Sequence, residues 1–525
     1  MATRTTVTVD SGALSGESLD DGAVRRFLGV PYGAPPVGDL RWRPPQPVAP
    51  WEGERDAIEY GPSSTQLPPA EQSLYYGGEK VFSEDCLNLN VWTGAEGETG
   101  RPVMVWFHFG AYQFGSASNP LYDGEALAGA GVTLVSVNAR LGRMGFFAHP
   151  ELSAESGYGG SGNYGLMDQI LALEWVRRNI AAFGGDPDNV TIFGVSAGGH
   201  SVHNLRSSPL ARGLFQKAIA HSGPGVSKAL DGYGHPSNTH TMRAGEEAGA
   251  EVSALLGGKS LAEMRAMPAE EILAPQLPRG AGSLSFDFLP GAQISLHVFD
   301  SSYPVVDGHV LPTDVATAYD NGDIIDVPFI AGNVGNESSG LPYASTLEKY
   351  RAYLAENFGD LADELFALYP AGDDAEAQEA SWQLNADHIF VSSSWLAVNL
   401  HRRNMQSPVW HFRFLREPSI PADSGIIEGA YARSFHGAEI LYVFDTLSSR
   451  DWDWSDADRD LSARMMRSWV SFAKTGDPTA GGEFEWPEFE PGKPTSRIWD
   501  LEDRIDDVSD PARMAFWARW NDVAL

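Results

Sequence analysis

The chain has 525 residues, 42% of them apolar and 20% charged, and its 70 acidic side chains outnumber 37 basic ones for a net charge of −33. Such a composition supplies a large buried core and excludes a disordered chain. The acidity offers no footprint for phosphate backbones or anionic membrane surfaces, so neither nucleic acid nor a membrane is an expected partner.

The first sixty residues carry Pro31, Pro35, Pro36, Pro44, Pro45, Pro47 and Pro50. Prolines that dense prevent helix, which predicts extended chain and turns wrapped around a core. Short apolar runs then read as buried strands at 103–107, 132–137, 190–193, 327–331 and 410–414. Between the second and third, Leu166, Ile170, Leu173, Val176 and Ile180 recur at helical spacing, and Gly184-Gly185-Asp186-Pro187 ends the helix. Strand, helix, strand in that order predicts a mainly parallel sheet with right-handed crossovers. Two stretches read as helical and loop insertions on that scaffold: 229–300, polar and turn-rich with a short helical piece near 261–273, and 346–404, with helical patterns such as Phe390, Trp395, Leu396 and Leu400. Closing helices are expected at 458–474 and 511–521. No repeat or linker divides the chain, so 1–525 is read as a single domain.

The most informative five residues are Gly194-Val195-Ser196-Ala197-Gly198. They follow a strand and precede a helical stretch, the context a G-x-S-x-G nucleophile elbow requires. The glycines permit a tight turn that lifts the serine hydroxyl above the sheet. A serine hydroxyl needs a base, and the base an orienting acid. In chain order after the elbow, Glu337 follows the strand ending near 331, and His436 lies beside Gly437 in a loop. Taken alone, Glu337 reads more readily as a solvated loop carboxylate and His436 as a surface or satisfied histidine; their order after Ser196 favours the catalytic reading, and spacing by itself leaves both alternatives open. A third element is the turn His108-Phe109-Gly110-Ala111-Tyr112 after the first strand run. Its amides, with that of Ala197, suit the oxygen of a tetrahedral intermediate, although a small-residue turn alone would read the same way.

Two patterns are set aside. Gly157-Tyr158-Gly159-Gly160-Ser161-Gly162 satisfies a dinucleotide-binding string, but no strand precedes it. His200 and His203 are badly spaced for one metal-binding face and read as packing residues of the elbow helix. Neither pattern is read as a cofactor or metal site.

Together these residues resemble the type-B carboxylesterase and cholinesterase family of α/β-hydrolases along almost the whole chain. The resemblance rests on the segment 27–42, on 83–92 around Cys86, on Asn138 to Phe146, on Gly162 to Gln169, on the elbow, and on His436-Gly437-Ala438-Glu439. It implies an α/β-hydrolase fold, a large mostly parallel central sheet flanked by helices, with insertions forming a gorge and lid. It also implies hydrolysis of a small-molecule carboxylic ester through an acyl-enzyme intermediate, with no cofactor and no metal. By the same resemblance Ser196 is the nucleophile, Glu337 the acid and His436 the base. Gly110, Ala111 and Ala197 become the oxyanion amides, and Ser222 a buried support for the histidine. Cys86 matches a cysteine that is disulfide-bonded in secreted relatives; being the sole cysteine here, it is read as apolar filler.

The sequence departs from the family at two places that are candidates for shaping the substrate pocket. Val195 stands where the family has Glu, and Phe109 where it has Gly. The rival reading is a non-catalytic cholinesterase-like interaction protein; retention of Ser196, Glu337 and His436 argues against it. The N-terminal ten residues lack the apolar run of a signal peptide, so a cytoplasmic location is expected. Nothing in the chain indicates whether it is a monomer or a homo-oligomer.

Overall fold

The computed structural model describes residues 3–19, 22–231, 239–275, 277, 302–338, 341, 343–426, 432–507 and 510–525. Thirteen strands form one sheet. They are β1 (Thr3–Val9), β2 (Gly12–Leu19), β3 (Val24–Pro31), β4 (Glu54–Asp56), β5 (Asn88–Thr93), β6 (Arg101–Phe107), β7 (Thr133–Val137), β8 (Gly185–Val195), β9 (Lys217–His221), β10 (Phe329–Val334), β11 (Val409–Phe414), β12 (Ser496–Trp499) and β13 (Arg504–Asp506). Across the sheet the order is β1-β2-β3-β5-β7-β6-β8-β9-β10-β11-β12-β13, with β4 beside β2. From β7 to β12 the neighbours run parallel. The N-terminal hairpins and β13 are antiparallel. All five apolar runs read from the sequence are strands of this sheet.

Alternation along each strand sorts side chains into two cores, one on each face. Val103, Val105, Phe107, Val190, Ile192, Ala218 and Ala220 join one cluster. Met104, Trp106, Phe193, Val195, Ile219 and Ile330 join the other. Strands buried on both faces are what helical crossovers on both sides produce. The predicted helix is α1 (Tyr164–Asn179), and Gly184 ends the turn after it with φ = 90°. Beyond the elbow lie α2 (Ala197–Ser207), α3 (Asp374–Ala386), α4 (Ser392–Asn404), α5 (Ala438–Val443) and α6 (Asp456–Thr475).

The stretch 346–404 is mostly helical, and its apolar side chains meet the C-terminal helix Pro511–Trp520 in a third cluster around Tyr350, Leu365 and Trp517. The reading of 229–300 as turn-rich needs correction where residues are described. A 14-residue helix spans Met242–Leu255, burying Ala244, Gly245, Ala248, Gly249 and Val252. Its buried stripe is made of small residues, so it carries little apolar signal. The helical piece near 261–273 is two short helices, Leu261–Arg265 and Ala269–Leu273, separated at Pro268; residues 232–238, 276 and 278–300 of the stretch lie outside the described residues. Cys86 is fully buried and unpaired, and burial pushes its thiol up to about 12. The glycine string at 157–162 follows a helix, Pro150–Glu155, and not a strand. No described helix is long and apolar enough to cross a membrane.

Candidate active site

Strand β8 ends at Val195 and α2 begins at Ala197, leaving Ser196 alone in the turn with φ = 59° and ψ = −121°. A non-glycine residue in that region stores backbone strain of about 1–3 kcal/mol. The turn is held by Ser196 N–H donating to His221 O at 3.0 Å and His200 N–H donating to Ser196 O at 2.8 Å. The flanking glycines are required by close approach. A Cβ on Gly198 would lie 1.9 Å from the Phe107 carbonyl oxygen, and one on Gly194 would lie 2.6 Å from that same atom. Ser196 therefore stands at the C-terminal edge of the parallel strands, where open α/β sheets place their ligands.

The turn after β6 brings a second group to this edge. Gly110, Ala111 and Tyr112 all have positive φ, at 117°, 52° and 58°. A Cβ on Gly110 would collide with the Phe114 carbonyl oxygen at 1.9 Å, so this position admits only glycine. Phe109 has no such backbone constraint, and a side chain is tolerated there. The amides of Gly110 and Ala111 donate to nothing among the described residues. Ala197 is the first residue of α2, whose opening amides have no partner within the helix.

Glu337 and His436 come from the loops after β10 and before α5. Asn336 N–H donates to Ser434 O at 3.0 Å, tying the two loops together. His436 Nδ1–H donates to Glu337 Oε2 at 2.5 Å. The other carboxylate oxygen, Oε1, accepts from Val334 N–H at 2.8 Å and from Ser222 Oγ–H at 2.7 Å. Ser222 thus bonds the carboxylate that holds the histidine and makes no hydrogen bond to the ring itself. Glu337 is 2% exposed, so these three donors stand in for the water it has lost.

Ser196, Glu337, His436, Gly110, Ala111, Ala197 and Phe109 all border one cavity of about 90 Å³. Phe109 has a double role. It faces the cavity, and it packs edge-on against Tyr75 at 5.5 Å and Tyr122 at 5.6 Å within a core cluster. Val195 does not line the cavity, contrary to its reading as a pocket residue. Strand alternation sends it with Phe193 into the core, because a side chain adjacent to the elbow belongs to the face of its strand and not to the turn.

Sequence reasoning missed several residues of the site. Phe390 stacks obliquely over the His436 ring at 4.3 Å, from the π-helical stretch Asp387–Val391 joining α3 to α4. A wide turn of that kind inside a helix often marks a functional site, but nothing in the residue pattern announces it. Tyr75, Tyr303, Leu341 and Ile389 complete an apolar wall. His200, dismissed as packing, also lines the cavity. Beneath the triad lies a second carboxylate–imidazole pair: His221 Nδ1 is 3.3 Å from Glu439 Oε1, both side chains are fully buried, and Trp469 Nε1–H donates to His221 Nε2 at 2.9 Å. That indole bond requires an unprotonated Nε2, consistent with burial lowering His221 to about 3.

A family profile described as the carboxylesterase family matches residues 3–517. The chain belongs to the carboxylesterase family. Among curated relatives, the fumonisin B1 esterase of Sphingopyxis macrogoltabida is 36% identical over 498 residues, covering 91% of this chain and 84% of that protein. The para-nitrobenzyl esterase of Bacillus subtilis is 33% identical over 516 residues, covering 95% and 96%. Solved structures of PNB esterase superpose with TM-scores of 0.78 and 0.79 at 31% and 30% identity, covering 96–99% of this chain and 97–99% of theirs. This carboxylesterase is an α/β-hydrolase and a carboxylic ester hydrolase acting on small-molecule esters. Nothing in these likenesses favours the non-catalytic alternative. Among the described residues no group of histidine, cysteine and carboxylate side chains could hold a metal ion.

Proposed function

We propose that this carboxylesterase hydrolyses uncharged carboxylic esters through an acyl-enzyme formed on Ser196. His436 takes the Ser196 proton as Oγ attacks the ester carbonyl carbon, then gives it to the departing alcohol oxygen. Water repeats the cycle on the acyl-enzyme and releases the carboxylate. Glu337 holds Nδ1–H of His436 and so keeps Nε2 as the base. The amides of Gly110, Ala111 and Ala197 receive the charge that develops on the carbonyl oxygen, a contribution of about 3–4 kcal/mol for one such donor elsewhere. The observation that carries the reading is the shared cavity of Ser196 and His436, with His436 anchored 2.5 Å from Glu337. Uncharged substrates follow from a wall of aromatic and aliphatic side chains with no lysine or arginine among its described residues. A cytoplasmic location, without nucleic acid as partner, is part of the same proposal; the lone buried cysteine and the acidic surface support it.

The test is Ser196→Ala, assayed on p-nitrophenyl acetate. A loss of about three or more orders of magnitude in kcat is expected, with an organophosphonate adduct mapping to the Ser196 peptide of the parent. Activity within tenfold of the parent, or an adduct on another peptide, refutes the assignment.

A further inference from the structure

Among the described residues lining the cavity outside Ser196, Glu337 and His436, His200 is a nearly fully buried polar side chain with one ring nitrogen that makes no hydrogen bond. It sits one helical turn beyond Ser196 on α2 and is 1% exposed. Its Cδ2–Nε2 edge is closed off. A Cβ on Gly225 would fall 2.2 Å from both atoms, and Nε2 meets the Thr239 hydroxyl at 3.5 Å. Tyr112 packs against the ring at 5.5 Å, and its own hydroxyl is committed to Ser201 Oγ and Asn204 Nδ2. The edge left for the cavity is the one carrying Nδ1, which has no hydrogen-bond partner.

Burial lowers His200 to about 3, so the ring is neutral at working pH and has one donor and one acceptor nitrogen. The Thr239 hydroxyl has no other hydrogen-bond partner among the described residues, so its proton is satisfied only by donating to Nε2, the tautomer that puts the ring hydrogen on Nδ1. A buried donor aimed into an apolar cavity is costly unless something accepts from it. A carboxylate would accept, but none of the described lining residues supplies a cation to hold one away from water. An uncharged oxygen suffices.

We propose that His200 is a specificity-determining residue whose Nδ1–H donates to an uncharged oxygen acceptor on the substrate chain, so that the enzyme prefers esters bearing a ketone, ether or second ester oxygen over their hydrocarbon isosteres. The proposal rests on Ser196 as nucleophile in the same cavity. His200 follows Ser196 by one helical turn, about 5 Å along the axis, so the substrates chosen carry the acceptor oxygen a few bonds from the scissile carbonyl.

The experiment measures kcat/KM on matched pairs, each corrected for its hydroxide-catalysed rate. The acyl arm compares p-nitrophenyl pentanoate with p-nitrophenyl 4-oxopentanoate. The alcohol arm compares n-butyl acetate with 2-methoxyethyl acetate. The wild-type enzyme is expected to favour the oxygenated partner by about 10- to 100-fold in one arm, the range set by a buried donor paired or left unpaired. His200→Leu should bring that ratio close to one, and His200→Asn, whose amide can stand where Nδ1 stood, should restore most of it. A wild-type ratio within twofold of one in both arms would mean that Nδ1 serves a water, and it overturns the proposal without any variant. So does a preference that survives His200→Leu. Failure to hydrolyse any of the four esters would instead overturn the esterase reading beneath it.

Discussion

Glu439→Gln should change how this protein's stability depends on pH. Glu439 lies on α5, three residues beyond His436, fully buried and 3.3 Å from His221 Nδ1. Burial, reinforced by the nearby Glu337 charge and offset only in part by His436, pushes its carboxyl up to about 8 from an ordinary 4.5. A group whose folded-state pKa is raised contributes stability that is fully present below its unfolded pKa. That stability is lost as pH climbs through the folded pKa, because the unfolded chain ionises freely while the folded one cannot. Each pH unit in this window weakens folding by about 1.4 kcal/mol, so the loss from pH 4.5 to pH 8 is on the order of 5 kcal/mol. At roughly 2.1 cal/mol/K of unfolding entropy per residue, a 525-residue chain turns that loss into about 4 °C of Tm. Glutamine is neutral at every pH and keeps the size and shape of the glutamate side chain 3.3 Å from His221 Nδ1. Thermal unfolding of parent and variant from pH 5 to pH 8.5 should therefore diverge, with the variant gaining about 4 °C over the parent across the range. Other titrating groups are common to both proteins and cancel in the difference. Two curves that stay parallel within about 1 °C would refute a neutral buried Glu439.

Phe109→Gly should admit bulkier esters, including those of tertiary alcohols, and should also lower stability by about 3–5 kcal/mol, because the ring is shared between cavity and core; an acyl and alcohol series run beside a thermal melt checks both, and an unchanged substrate profile would show the ring to be core alone. Gly198→Ala should displace the elbow, since its new methyl would overlap the Phe107 carbonyl; expected is a loss of at least a hundredfold in kcat with a lowered Tm, and full activity would contradict the elbow geometry. Ser222→Ala removes one of three donors to Glu337, a charge-assisted bond worth about 1.5–3 kcal/mol; kcat should fall with KM little changed, and an unchanged kcat would leave Ser222 a purely structural residue.

Much of this protein is legible in its sequence, for reasons that differ from element to element. The five core strands show as apolar runs because parallel strands are buried on both faces. The elbow shows because its glycines, serine and flanking strand are adjacent in the chain, and close approach to Phe107 leaves no alternative to glycine at 198. Glu337 and His436 could be nominated by their order but not joined. They are 99 residues apart, and their 2.5 Å contact exists because β10 and β11 pair in register and Asn336 ties one loop to the other.

What tertiary structure alone decided is which way side chains face and what surrounds them. Val195 and Phe109 looked alike as departures from the family, yet pleating turns Val195 into the core while the turn after β6 leaves Phe109 at the cavity wall. His200 carries no distinguishing signal in the chain, and Glu439, although it closes the motif that begins at His436, carries none that announces its burial. Their character comes from burial beside groups distant in sequence, Thr239 and Gly225 for one, His221 and Glu337 for the other. Residue order sets backbone chemistry over a few neighbouring positions. Desolvation and pairing of buried polar groups depend on every element packed around them, and only the assembled fold supplies that.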